Sequence, residues 1–491
     1  PLPKKKRPQR GGGGSAKLVA YGRDGKPLDL DGFLKLIGRA DTPAPASAPP
    51  LLVSGIAGLG ASRPRLTQQG AQLEMHWERV PRIQLSLPWP AEEYGYSTVW
   101  LDNDGKGFIN GDSILVNEEA AMGLYRHFKD SWVRHTKDMS PAYEPGSKAK
   151  KLYEKSREAV AKAQLAEDQS ERAAAFDKAF RETALAAEKM LFEHGLQLAH
   201  NDRTRNVQRY GLTLDENLLR RVDHYEWIIE MVQRSGANWV RLVFRSNPND
   251  FVYARQGSFN EYDSVVKELK AKGIRVMGCV LDTAQWPSNL TPQVYAQRTK
   301  NLVLHYQVQI NSWEVGSEIN GDWLGGSKSP LSLDETYRIF SAAAAQVKEL
   351  EPRLETVVTL YWWDSTAPDE DHSLFGWLGH YIPRGFGKHV DVVGVSLWPE
   401  DNPVGGAFER IFERLRRTLP DKRLMLGSFG YVEGEQLKGY WWLHPEDVDG
   451  GRKDLGDHIL RMVFPRAFEE DPLRILRGLQ FAARLALKID P

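Results

Sequence analysis

Cysteine is almost absent from this chain of 491 residues: Cys279 stands alone. One thiol excludes an intrachain disulfide framework and any multi-cysteine metal site, and it leaves the redox compartment open. Charge of either sign is not in excess, with 65 Lys and Arg against 65 Asp and Glu. Such a balance gives no reason to expect nucleic acid or an anionic membrane as the main partner. Long hydrophobic runs are missing as well; none approaches the ~18 residues that would span a bilayer. The chain starts at Pro1 rather than Met, so a processed or engineered N-terminus is expected, and a removed export signal would leave no trace. What is present is core: 41% of the residues are hydrophobic, and the length suits about three domains or one barrel of ~250 residues with additions.

Composition divides the chain. Residues 1–65 read as a disordered tail or linker, because PKKKRPQRGGGGS (3–15) and DTPAPASAPP (41–50) are basic, Gly-rich or Pro-rich. Residues 66–130 read as a small antiparallel β module: LEMHWERV, RIQLSLPW and STVWLDND alternate apolar with polar between Pro and Gly turns. Asp102, Asp104 and Gly107 begin like a calcium loop, but Lys106 and Ser113 stand where ligands belong, so a hairpin turn is expected. Neither metal nor cofactor is expected elsewhere. Residues 131–192 turn to Ala, Glu, Lys and Arg with apolar residues at helical spacing, which predicts a helical linker.

After residue 192 the rhythm changes. Strand-like runs occur at 194–200, 238–244, 274–282, 310–318, 355–363, 390–398, 423–429 and 438–443, most of them nearly continuous in apolar residues. Strands buried on both faces of a parallel sheet look like this. Amphipathic helices fall between most of them, so residues 193–443 predict an α/β fold, a (β/α)8 TIM barrel. Only about eight residues separate the seventh and eighth runs, too few for a crossover helix. The expected architecture is therefore a barrel preceded by the small β module and helical linker and followed by a helical tail, 444–491.

The C-terminal strand ends of such a barrel carry its chemistry. Here they hold Arg245, Asp282, Glu318, Asn320, Trp363, Trp398, Ser428, Tyr431 and Trp442, with Trp323 just beyond Glu318. Carboxylates and indoles dominate. Sugar rings offer flat C–H faces that stack on indole and hydroxyls that need polar partners, so an oligo- or polysaccharide suits this rim better than a nucleotide. Residues 194–442 resemble the retaining glycoside hydrolases of clan A. Gly316-Ser317-Glu318-Ile319-Asn320 is similar to that clan's fourth-strand motif, and Gly427-Ser428-Phe429-Gly430-Tyr431 to its seventh-strand motif. The resemblance implies that Glu318 is the general acid/base and that Ser428 occupies the place of the nucleophilic Glu. It also implies that Ser317, standing where the clan has Asn, faces the sugar 2-hydroxyl.

Retaining hydrolysis needs two carboxyl groups about 5–5.5 Å apart. A hydroxyl without a base cannot replace one of them, so an impaired hydrolase, or a non-catalytic sugar-binding barrel, is expected. Glu433 and Glu435 follow Ser428 closely enough to be considered as substitutes, although a polar surface loop is the plainer reading of both. Export would suit a polysaccharide-active protein, but nothing in the sequence identifies the compartment. A second resemblance covers 450–485, where Glu470, Asp471, Arg474 and Arg477 fit an element of CCA-adding tRNA nucleotidyltransferases. The family's two-metal carboxylates are missing, so this segment is expected to pack as a helix, with RNA association the lesser alternative. Because the chain stops at Pro491 soon after it, fusion or truncation is expected there.

Overall fold

The computed structural model describes residues 12–429 apart from 40–43, 46, 57–58, 71, 92–94, 202–207, 216–224, 246–258, 327 and 400. Beyond these it describes one short strand pair, Ile459–Leu460 with Lys488–Ile489.

The N-terminal module begins well before residue 66. Strand β1 (Gly14–Val19) is followed by helix α1 (Leu30–Ile37), β2 (Leu52–Gly55), β3 (Ala61–Ser62), β4 (Arg65–Gln69), β5 (Gln72–Trp77), β6 (Ile83–Ala91), β7 (Gly95–Leu101) and β8 (Ser113–Leu115). They form two four-stranded sheets, ordered β4-β5-β1-β8 and β3-β2-β6-β7. The expected tail is thus corrected for the described residues from Gly14 onward: β1 pairs antiparallel with β5, Ala16 opposite Met75. Glycine hid the strand. Gly14 lies under the Trp77 ring, where a Cβ would come within 2.6 Å of the indole, and close approach of this kind demands glycine at a cost in strand propensity. Helix α1 is capped by Asp29, whose Oδ1 accepts the Gly32 amide at 2.8 Å, and it buries Phe33, Leu34 and Ile37. The basic cluster at 3–10 lies outside the described residues. At 102–107 the chain makes a turn, with Asn103 and Asp104 in left-handed backbone and Asp102 capping the Gly105 amide.

The helical stretch packs onto this module. Helices α2 (Val116–Val133), α3 (Ser147–Leu165) and α4 (Gln169–His200) follow, with a single π turn at Arg134–Asp138. Phe176, Phe180 and Ala184 of α4 join Leu18, Phe33, Met75, Leu87 and Trp89 in one buried cluster. The run 194–200, expected as the first barrel strand, is instead the last two turns of α4. Helical spacing wins there because Met190 and His194, four residues apart, both face the core.

The α/β region then runs β9 (Gly211–Leu214), α5 (Tyr225–Arg234), β10 (Trp239–Val243), α6 (Asp263–Ala271), β11 (Arg275–Cys279), α7 (Pro292–His305), β12 (Ser312–Gly316), α8 (Leu333–Leu350), β13 (Glu355–Tyr361), α9 (Leu374–Tyr381), β14 (Val392–Leu397), α10 (Phe408–Thr418) and β15 (Arg423–Phe429). The seven strands form one parallel sheet in sequential order, β9 to β15. This is a mixed α/β fold with seven successive parallel strands. The eighth run, 438–443, lies outside the described residues. Helices start where the sequence signals them: Thr291 caps α7 with Pro292 at its first position, and Ser332 with Glu335 makes a capping box on α8. Strand faces turned toward the helices supply the main core, including Val240, Leu242, Trp313, Val315, Val358, Leu360 and Val395.

The two halves touch through the loop that follows β14. The Thr98 hydroxyl of β7 donates to the Pro403 carbonyl at 2.6 Å, and the Gly406 amide donates to Ser97 Oγ at 3.0 Å. Gly405, at φ +50°, passes so close that a Cβ would overlap the Ser97 side chain. Arg410 of α10 adds an ion pair to Asp102 at 3.3 Å.

Candidate active site at the strand ends

Counting from β9, Glu318 follows the fourth strand and Ser428 lies in the seventh, at the same C-terminal edge of the sheet. Glu318 adopts φ +51°, a left-handed conformation uncommon for a non-glycine residue. Such a backbone costs about 1–3 kcal/mol and persists only where its surroundings over-determine it. Here the Glu318 amide donates to Thr359 Oγ1 at 3.0 Å and its carbonyl accepts the Gly321 amide at 2.9 Å. Thr359 in turn donates to Glu314 Oε1 at 3.1 Å. The strain thus sits on Glu318 itself.

The Glu318 carboxyl is pushed up to about 6. Burial is the main cause, with the Asp282 charge adding to it; the Trp398 indole and the Arg241 charge act the other way. Trp398 Nε1 donates to Glu318 Oε1 at 3.3 Å, bringing the end of the sixth strand onto the fourth. Beneath lies an ionic ladder that sequence reasoning missed. Arg241 Nε meets Glu314 Oε2 at 2.6 Å, and its Nη2 reaches Cys279 Sγ at 3.3 Å and Asp282 Oδ2 at 3.4 Å. Alternation on β10 and β12 was the available signal: Arg241 and Glu314 interrupt runs that are otherwise apolar.

Ser428 is placed by an irregularity. Val395 pairs with Leu426, but the next pair is Leu397 with Phe429, so Gly427 and Ser428 together oppose Ser396. Ser428 is partly buried there, and Phe429 after it is exposed. Gly427 also abuts Thr359, where a Cβ would come within 2.8 Å of Cγ2, so β15 presses on the residue that fixes the Glu318 backbone.

The other expected sugar contacts divide. Trp323 and Trp398 are half-buried and pack with Tyr361 and Trp363 into one aromatic cluster. Ring centroids lie 5.4 Å apart for Trp323 and Trp363 and 4.8 Å for Tyr361 and Trp363. Trp363 is 9% exposed and supports the wall rather than presenting a face. Ser317 and Asn320 are buried and hydrogen-bonded within the scaffold. The Ser317 hydroxyl accepts the Thr283 amide at 3.1 Å, and its carbonyl accepts the Thr283 hydroxyl. Asn320, fully buried, donates to the Tyr361 and His372 carbonyls and accepts the Tyr361 amide at 2.6 Å. Arg245 turns to Glu261, Nε to Oε1 at 2.8 Å, and its carbonyl is held by the buried Arg298 at 2.9 Å. Tyr431, Glu433, Glu435 and Trp442 lie outside the described residues, and among the described helices none is long and apolar enough to cross a membrane.

No protein-family model matches the chain. Two curated relatives match a short stretch. The A-adding tRNA nucleotidyltransferase of Aquifex aeolicus (strain VF5) is 51% identical over 43 residues, 9% of this chain and 5% of that protein. The multifunctional CCA protein of Nitrosococcus oceani is 56% identical over 45 residues, 9% and 11% respectively. The chain therefore spans a small fraction of these relatives, and the likeness is C-terminal. Among solved structures, a GH10 endoxylanase retrieved from a sugarcane soil metagenome is 14% identical with a TM-score of 0.39, covering 59% of this chain and 86% of that one. Xylanase 10B of Thermotoga petrophila RKU-1, in complex with xylobiose, is 16% identical at 0.36, covering 48% and 74%. The Ignisphaera aggregans GH53 catalytic domain is 20% identical at 0.31, covering 46% of this chain and 65% of that one. These neighbours are glycoside hydrolases, and at such scores the likeness carries no weight for activity.

Proposed function

We propose that the strand-end site handles β-linked oligo- or polysaccharide, with Glu318 as proton donor to the glycosidic oxygen and Trp323 and Trp398 as stacking faces. One observation carries this reading: a strained, enclosed Glu318 whose carboxyl is held near 6 and whose oxygen is aimed by the indole of Trp398. A general acid working near neutral pH needs a carboxyl raised in this way. The ionised partner that a retaining mechanism requires is not supplied by Ser428, so the chain as written binds and protonates better than it turns over. Asp282 is the described carboxylate whose charge acts on Glu318, and its tie to Arg241 directs it toward the ladder.

Glu318→Gln tests the assignment in two ways. Residual hydrolysis of aryl β-glycosides should vanish, whereas in the unaltered protein it should decline as pH rises through about 6. Stability should fall over the same rise in pH. A carboxyl raised in the folded state stabilises the fold fully at low pH and loses that contribution as pH rises through about 6. The Gln variant, which cannot ionise, should match the parent at pH 4 and exceed it by about 2 kcal/mol at pH 8 in urea unfolding. Equal stability at both pH values would remove the raised carboxyl from the argument. A purely sugar-binding barrel makes a different demand: Trp398→Ala should weaken oligosaccharide binding about 5-fold, corresponding to the ~1 kcal/mol of a lost aromatic face, while turnover stays undetectable. Unchanged affinity in calorimetry would move the sugar away from this wall.

A further inference from the structure

Where the helical module meets the barrel, three side chains remote in sequence converge. His127 comes from α2, and Glu409 and Glu413 lie one turn apart on α10. Each offers one ligand atom, and these atoms all lie within 4.8 Å of one another. His127 Nε2 is enclosed yet makes no hydrogen bond, an expensive arrangement for a buried polar atom, whereas Glu413 Oε1 is ion-paired with Arg134. Beside them is a cavity of about 290 Å³, with Leu124, Phe128, Met190 and Phe408 forming an apolar wall and His127, Ser131 and Glu409 the polar one.

We propose that His127, Glu409 and Glu413 bind a divalent cation of the zinc class that fastens α2 to α10. One imidazole and two carboxylates form a ligand set typical of Zn²⁺, and the neighbouring cavity leaves room for a water in the fourth position. The cation has an internal rival. The Arg134 guanidinium pairs with both Glu409 and Glu413, while Ser131 and His135 also donate to Glu409. Arg134 is the most exposed member of the group, its side chain 34% accessible, so it can swing into solvent when the ion enters. The site is thus a competition between a tethered monovalent cation and a free divalent one. It does not depend on what the strand-end site does.

The test uses the full chain, stripped with chelator and titrated with ZnCl₂ under calorimetry, with thermal unfolding followed in parallel. One Zn²⁺ per chain should bind and raise the melting temperature. His127→Ala and Glu413→Gln should each weaken binding by at least ~10-fold, and Arg134→Met should tighten it. If the first two variants fold poorly, the Arg134→Met direction still decides, because a merely structural Arg134 would leave zinc affinity unmoved. Absence of saturable binding in both parent and Arg134→Met overturns the proposal. So does zinc affinity that is indifferent to His127→Ala, which would place the ion elsewhere.

Discussion

Ser428→Glu is expected to raise hydrolysis of activated aryl β-glycosides by ~10² or more, the scale on which one well-placed charge stabilises a developing transition state. Position 428 lies in the irregularity opposite Ser396, on the strand that presses against Thr359 and thereby on Glu318. A carboxylate there would supply the attacking oxygen for the sugar carbon and the negative charge that an oxocarbenium-like state needs. It would also push the Glu318 carboxyl further up, by the same Coulombic logic through which Asp282 acts now. The pH–rate profile should therefore become bell-shaped, with its basic limb shifted upward, and the product should keep its anomeric configuration by NMR. Adding Glu318→Gln to the variant should erase the gain. A well-folded Ser428→Glu protein with no gain on any aryl glycoside would mean that positions 318 and 428 do not share a substrate.

The other large effect concerns stability. Arg241→Met should cost about 3–5 kcal/mol, because it strands Glu314, 1% exposed, without its cation. Urea unfolding measures the loss directly. Replacing both partners, Arg241→Met with Glu314→Met, should recover most of it, since the penalty comes from an unpaired buried charge rather than from a lost attraction. If the double variant is no more stable than the single one, the ladder is held by packing instead. The same substitution should raise the Glu318 carboxyl, as Arg241 is among the charges that hold it down.

Much of the parallel sheet was legible because its middle strands are buried on both faces and announce themselves as apolar runs; β10 to β15 fall inside their expected stretches. The first strand was not. Gly211–Leu214 has four residues, of which only Leu214 is buried, too little pattern to compete with the apolar residues of 194–200. Those belong to α4, whose spacing of four continues through Met190 and His194. The N-terminal sheet was obscured by glycines that make room for Trp77. At the site, the identity and position of Glu318 could be read, but the burial of its neighbours could not. Ser317 and Asn320 look like sugar ligands in a motif, yet their hydrogen bonds are all directed inward. Nor could a sequence foretell that His127 meets Glu409 and Glu413, since almost three hundred residues separate them.

The contacts of Ser97 and Thr98 with 403–406 have a further meaning. The stretch carrying the indole that steadies Glu318 runs straight into Pro403 and Gly405, which are held by a strand some three hundred positions earlier. Part of the mouth's geometry is therefore inherited from outside the parallel sheet. A lineage that exchanged or shed the N-terminal module would be retuning an acid it never touches.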